Sequence, residues 1–227
     1  MPPKTSAERL TKSAVAERAL RIGDTDGLEA ITIRRLAQEL GVTPMALYWH
    51  FKNKEELLLG LIDHVLAEVR ADRHATDPWP EQLRAMVEAL VRAMRAHPCL
   101  PDLLHAADKQ QVEGFMRATD DALGLLERAG LSLEEAYWVA SYLLHAAIGL
   151  VQAQPGCPLA VPPDQAGDWL RRQRLHLEGL PPQQFPHMVR LAESYRSLPD
   201  LERYYSFGID LLMGAVENMA AGRPVAS

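Results

Sequence analysis

Apolar residues recur at three- and four-residue spacings along almost all of this 227-residue chain, and no sustained period-two alternation interrupts them. Such spacing lines one face of a 3.6-residue helix and leaves a sheet nothing to bury, so the expected fold is all-α. The first helix carries Leu10, Ala14, Val15, Ala19, Leu20 and Ile22 and is expected to stop at Gly23. Thr32 caps a short helix from Ile33 to Leu40 that Gly41 ends, and Thr43-Pro44 opens another with a hydroxyl cap and a proline at the first helical position. Asn53 starts a fourth, with Glu56 as its capping-box partner.

Farther on, Trp79 to Ala96 is amphipathic, with Pro98 and Pro101 breaking the chain after it, and a helix from about Gln110 to Arg128 ends at Gly130. Ser132 and Glu135 cap a long helix through Val151 that is apolar nearly all round and therefore expected to be buried on most sides. Gln154 to Gly167 is a Pro- and Gly-rich loop. A charged helix at Asp168–Leu177, a shorter one near His187–Ser197 and a final one at Leu201–Ala220 complete the chain.

Charge is distributed unevenly. Residues 1–54 hold nine Lys or Arg against six Asp or Glu, a balance of +3, whereas the remainder holds fifteen against twenty-four, a balance of −9. A basic head on an acidic body suits DNA binding by one end, because the body repels phosphate. The two cysteines, Cys99 and Cys157, build no disulfide framework, and no apolar run is long enough for a signal peptide core or a membrane span. A cytoplasmic protein without membrane contact is expected.

Residues 32–51 carry the functional pattern. Two short helices flank Gly41-Val42, with Leu36, Ala37, Leu40, Val42 and Leu47 spaced to pack inward and Ala37 small enough for a close crossing. A helix-turn-helix of this kind puts its second helix in the major groove while the first crosses the phosphates. Thr43, Pro44, Met45 and Ala46 form the exposed first turn of the reading helix. Thr43 is suited to hydrogen bonding and Met45 and Ala46 to thymine methyl groups. Tyr48 offers a hydroxyl, Lys54 a phosphate clamp at the positive start of a helix, and Thr32 both a cap and a phosphate bond. His50 reads equally as a phosphate contact or a surface residue. Trp49 and Phe51 are expected to pack in the core, and Arg35 to be a solvated charge.

With the preceding helix and the run Leu47-Tyr48-Trp49-His50-Phe51-Lys52-Asn53-Lys54-Glu55-Glu56-Leu57-Leu58, residues 9–63 resemble the DNA-binding head of the tetracycline repressor family. The stretch Phe207 to Glu217 is similar to the last helix of that family's ligand domain. The resemblance implies a helix-turn-helix domain at 1–52 and an effector-binding and dimerisation domain at 53–227. It adds Arg34 to the DNA contacts. It also implies a homodimer built from the helices at 132–152 and 201–220, with Leu143, Ala147, Gly208, Leu211, Leu212 and Ala215 at the interface. Two reading helices entering successive grooves of an operator require such symmetry.

An effector pocket is expected among the body helices, from His64, Arg70, Met86, Leu90, Met94, His105, Gln110, Phe115, Met116, Trp138, Tyr142 and His145. Methionines and aromatics there make an adaptable apolar lining, and each polar member also reads as a surface or satisfied core residue. Met86, Leu90 and Arg70 stand where tetracycline-binding members hold the drug with an asparagine, an aromatic and a histidine. The resemblance therefore implies an effector larger and more apolar than magnesium tetracycline. No cofactor is expected, since His97-Pro98-Cys99 with His105 has no standard metal spacing. A ligand-responsive repressor is the leading reading, with an activator or ligand-independent regulator as the near alternative. A small helical enzyme is remote, because nucleophile elbow, phosphate loop and zinc signature are all missing.

Overall fold

The computed structural model describes residues 11–71, 74–155 and 163–222, and among them all regular structure is helical. The chain divides into two compact units, residues 1–152 with 212–227, and residues 153–211. The boundary expected between residues 52 and 53 falls inside the first unit.

The first unit opens with α1 (Lys12–Asp26), capped by Thr11, α2 (Ile33–Leu40) and α3 (Pro44–Tyr48). The first helix does not stop at Gly23. It runs to Asp26 and ends at Gly27, which holds φ +82°. Gly23 is instead a site of close approach, since a Cβ there would lie 2.8 Å from the Cys99 sulfur. Gly41 does end α2, at φ +67°, in the left-handed region that glycine enters without strain.

The connecting helix α4 (Lys54–Ala71) begins where Asn53 Oδ1 accepts from Glu56 N at 2.7 Å. The Glu56 carboxylate accepts from the backbone N–H of Lys52, one residue ahead of the expected partner, at 2.7 Å. α4 packs on α1 and carries the buried Leu57, Leu61, Ile62, Val65, Leu66 and Val69.

Next come α5 (Trp79–Ala96), α6 (Leu100–Ala106), α7 (Glu113–Arg128) and α8 (Leu133–Gln152). Pro101 does not break the chain; it sits in the first turn of α6, where no intrahelical N–H is needed. A 3-10 turn at Lys109–Gln111 takes the start expected for α7. Ser132 and Glu135 cap α8 reciprocally: Ser132 N donates to the Glu135 carboxylate at 3.0 Å, and Glu135 N donates to Ser132 Oγ at 3.4 Å. Within the single subunit α8 is buried on one face. Ala136, Val139, Leu143, Ala147 and Ile148 face the core, while Trp138 and Tyr142 are exposed.

The second unit contains α9 (Ala166–Glu178), α10 (Pro186–Leu191) and a 3-10 segment at Ala192–Arg196. Trp169 and Tyr195 bring their rings to 6.0 Å, and Tyr205 donates its hydroxyl to Gln154 Oε1 at 2.7 Å. Residues 156–162 of the expected loop lie outside the described residues. α11 (Leu201–Ala221) continues from this unit into the first and buries one stripe, Tyr205, Ile209, Met213 and Val216.

Candidate nucleic-acid interface and effector cavity

The reading turn is built by two threonines in the same role. Thr32 Oγ1 accepts from Arg35 N at 3.2 Å to start α2, and Thr43 Oγ1 accepts from Ala46 N at 3.3 Å to start α3. Each hydroxyl thus spends an acceptor site on its own helix and keeps its proton for an external oxygen. Leu36, Ala37 and Leu47 are buried between α2 and α3, which fixes the outward aim of the first turn of α3. Thr43 and Pro44 are exposed, Met45 is 66% exposed, and Ala46 and His50 are half-buried. Arg34 and Tyr48 also face outward.

Three side chains differ from expectation. Trp49 does not pack: it is 87% exposed, whereas Phe51 is 4% exposed. Leu47 and Phe51 are one turn apart and share the inward face, so Trp49, midway between them, points away. That spacing is a signal the sequence contains. Arg35 is not merely solvated: it bridges to Asp26 and to Glu39, the latter at 3.2 Å, and these bonds hold its pKa above the ordinary value. Lys54 meets the fully exposed Glu29 at 3.5 Å, a weak pair that a phosphate can replace.

In the same unit, α4, α5, α7 and α8 with residues 107–110 border a half-open cavity of about 350 Å³. Met86, Leu90, Gln110, Phe115 and His145 line it. So do Leu66 and Val69 of α4, Leu83 and Val87 of α5, Ala118, Thr119 and Ala122 of α7, and Tyr137, Ala140, Ser141 and Leu144 of α8. His145 Nδ1 donates to the Ser141 carbonyl at 2.7 Å, which leaves Nε2 of the neutral ring as an acceptor. Lys109 Nζ is turned onto the Leu104 carbonyl at 2.7 Å.

The other expected pocket residues whose side chains are described do not line it. Met94 is fully buried in the core, and His64 lines a separate cleft. His105 Nδ1 donates to the Pro101 carbonyl at 3.0 Å. Met116, Trp138 and Tyr142 are exposed, Tyr142 by 71%, and the side chain of Arg70 lies outside those described. The α8 lining is Tyr137, Ser141 and His145 rather than Trp138 and Tyr142. A step of one residue turns a helix by about 100°, so that difference changes the face.

Among the expected interface residues, Leu143 and Ala147 are buried within the subunit, Gly208 and Leu212 are half-buried, and Ala215 is exposed. Phe207 and Leu211, one helical turn apart, are 69% and 65% exposed. His97 and Cys99 are tied to Asp24 (Nδ1 to Oδ2 2.8 Å; Cys99 N to Oδ1 3.2 Å), and no cluster of metal-ligating side chains occurs among the described residues. Among those residues no helix is long and apolar enough to cross a membrane.

Residues 16–61 match the model of bacterial regulatory proteins of the tetR family, and residues 73–220 match that of the tetracyclin repressor-like C-terminal domain. The chain belongs to the tetracycline repressor family. It is a DNA-binding transcriptional regulator of that family, which is not one of enzymes. The regulator is 32% identical over 145 residues to the class E tetracycline repressor of Escherichia coli, covering 63% of this chain and 68% of that one. ActR of Streptomyces coelicolor in complex with actinorhodin superposes with a TM-score of 0.73 at 30% identity, over 93% of this chain and 98% of that one. BioQ bound to its double-stranded DNA operator gives 0.58 at 26% identity, over 92% and 99%.

Proposed function

We propose that this regulator is a homodimeric repressor released from a palindromic operator by a small, largely apolar effector. The observation that carries the reading is the joining, by the single helix α4, of an outward-facing reading turn to an apolar-walled cavity in one compact unit. Thr43, Pro44, Met45 and Ala46 reach base edges, while Thr32, Arg34, Tyr48, His50 and Lys54 hold phosphates, and the exposed Trp49 joins them at the backbone. Operator DNA as the target sets the site of action in the cytoplasm.

The cavity suits a molecule with broad apolar faces and a few hydrogen-bonding groups, met by His145 Nε2, the Tyr137 hydroxyl and Ser141. ActR's complex with actinorhodin supports an extended, ring-containing effector for a cavity of this type. Dimerisation buries the exposed aromatic face of α8, Trp138 and Tyr142, and the exposed stripe of α11, Phe207, Leu211 and Ala215. Effector binding to one of two states lowers operator affinity by population shift, without chemistry.

Mobility shift with the DNA around the protein's own gene tests the reading. Binding is expected to fall steeply with salt and to weaken in Tyr48→Phe and Lys54→Ala while the helical spectrum stays unchanged. Intact affinity in both variants overturns the site. A thermal-shift screen of apolar metabolites and antibiotics then identifies the effector, because a ligand preferring the native dimer raises its melting temperature.

A further inference from the structure

α4 is gripped at two points less than one turn apart, and both contacts depend on glycine. On the side of the reading helices, Gly60 of α4 lies under Phe51, so closely that a Cβ would fall 2.6 Å from the ring. Three residues on, along nearly the same face, Asp63 of α4 accepts from the backbone N–H of Gly114 at 2.7 Å, and a Cβ at Gly114 would fall 2.6 Å from the same carboxylate oxygen. Gly114 is in the first turn of α7. That helix has no side-chain cap of its own, because Val112 stands at its N-cap. Asp63 therefore caps α7 from another helix, with a charge suited to the positive end of the helix dipole.

This bond lies where two walls of the cavity meet. Beyond Asp63, α4 contributes Leu66 and Val69 to the lining; beyond Gly114, α7 contributes Phe115, Ala118 and Thr119. We infer that the Asp63–Gly114 hydrogen bond is the contact through which occupation of the cavity moves α4, and with it the reading helices, so that Asp63 is the positioning residue of the response. The inference rests on the proposed repressor reading. A body wedged between α4 and α7 pulls on this bond, which at 2.7 Å stands at the short end of the N–H···O range and is a direct tie between the two helices at this point. The cleft of about 400 Å³ beside it, lined by Lys12, Phe51, Gly60, Asp63, His64 and Val112 among others, leaves α4 room to turn once released. The tie that Asp24 of α1 makes to His97 and Cys99 does not have this position. None of residues 97–106 lines the cavity.

A double-mutant cycle on operator affinity tests this without knowledge of the effector. Ala140→Phe, or Ala118→Phe from the α7 side, fills the cavity in place of a ligand. In the otherwise unmodified chain either is expected to weaken operator binding by about tenfold, in the ordinary range of allosteric coupling. In Asp63→Ala the same filling is expected to change affinity by less than about twofold, a departure from additivity that reports coupling. Asp63→Asn, which keeps an acceptor oxygen for Gly114, restores the response, and Asp24→Ala retains it. Should Asp63→Ala melt below the assay temperature, Gly114→Ala breaks the bond from the other side and is expected to abolish the response equally. A tenfold loss that persists in Asp63→Ala or Gly114→Ala overturns the inference, showing direct pressure on Leu66 and Val69. So does a chain that binds operator yet is indifferent to both filling substitutions. A chain that binds no operator at all overturns the proposed function instead.

Discussion

Gly23 and Cys99 meet without a side chain between them: a Cβ on the glycine would be 2.8 Å from the sulfur and 3.0 Å from Ile31 Cδ1. This contact seats α1 against the link between α5 and α6. A helix interior ordinarily favours alanine over glycine by about 1 kcal/mol, yet overpacking a closed contact costs about 1–3 kcal/mol. Gly23→Ala is therefore expected to lower stability by up to about 2 kcal/mol in denaturant unfolding. Adding Cys99→Ala removes the obstructing sulfur, so the double variant should be more stable than the sum of the two single losses allows. Strict additivity would mean that the two residues do not touch in this way.

The same sulfur is chemically quiet. Burial foremost, and then Asp24, push the Cys99 thiol above its ordinary pKa of 9.0, so the thiolate is disfavoured in the native state. Because the native value is the higher one, the contribution of the neutral thiol to stability is intact below pH 9.0 and is lost as pH rises above it. Iodoacetamide at pH 8 is expected to spare Cys99 in the native protein and to modify it in denaturant, as read by peptide mass. The method also separates it from Cys157, which lies outside the described residues. Rapid native labelling of Cys99 would contradict the burial.

Trp49 and Phe51 are two residues apart and should behave oppositely. Phe51→Ala removes a buried ring that packs on Gly60 and is expected to cost about 3–5 kcal/mol. Trp49→Ala touches almost nothing in the subunit and should leave stability within about 0.5 kcal/mol while weakening operator binding. Thermal melts and mobility shifts on the two variants check both halves.

Thr43 caps α3 and, in the proposed interface, also meets the operator. Thr43→Ala loses the cap to Ala46 N and is expected to cost about 1 kcal/mol of stability as well as operator affinity. Thr43→Ser keeps the hydroxyl and should preserve both. A loss of affinity in the serine variant equal to that in the alanine variant would show that the methyl group, not the hydroxyl, meets the DNA.

Leu211 is 65% exposed in the middle of α11 and has Phe207 one turn away. Leu211→Glu puts a charge on this stripe, and burying an unpaired charge in an interface is costly. If the proposed dimer uses this stripe, analytical ultracentrifugation is expected to show a lower mass for the variant than for the unmodified chain at equal concentration, with operator binding weakened in parallel. A dimer unaffected by the substitution would move the interface elsewhere.

Signals that act within one turn of chain were open to reading. The caps at Thr32, Thr43 and Ser132, the left-handed stop at Gly41 and the apolar stripe of α5 are each settled by residues three or four apart. Gly23 reads as a stop in the sequence because a glycine that ends a helix and one that admits a neighbouring helix look alike in one dimension. The cavity lining was harder. Met86, Leu90 and Phe115 stand out as large apolar residues, but on α8 it is Tyr137 and Ser141 rather than Trp138 and Tyr142 that border the cavity. On a helix apolar nearly all round, periodicity cannot choose the rotation.

Local chemistry alone, then, determined that this chain is helical and where the reading turn begins. Capping, glycine stops and 3.6-residue spacing are interactions between near neighbours. Tertiary packing decided which face of α8 lines the cavity and that Asp63 reaches across 51 positions to cap α7. It also decided that Trp49 stays in solvent beside a buried Phe51. These outcomes depend on which helices meet and at what rotation, and residues far apart in the chain fix that only once the whole core has closed.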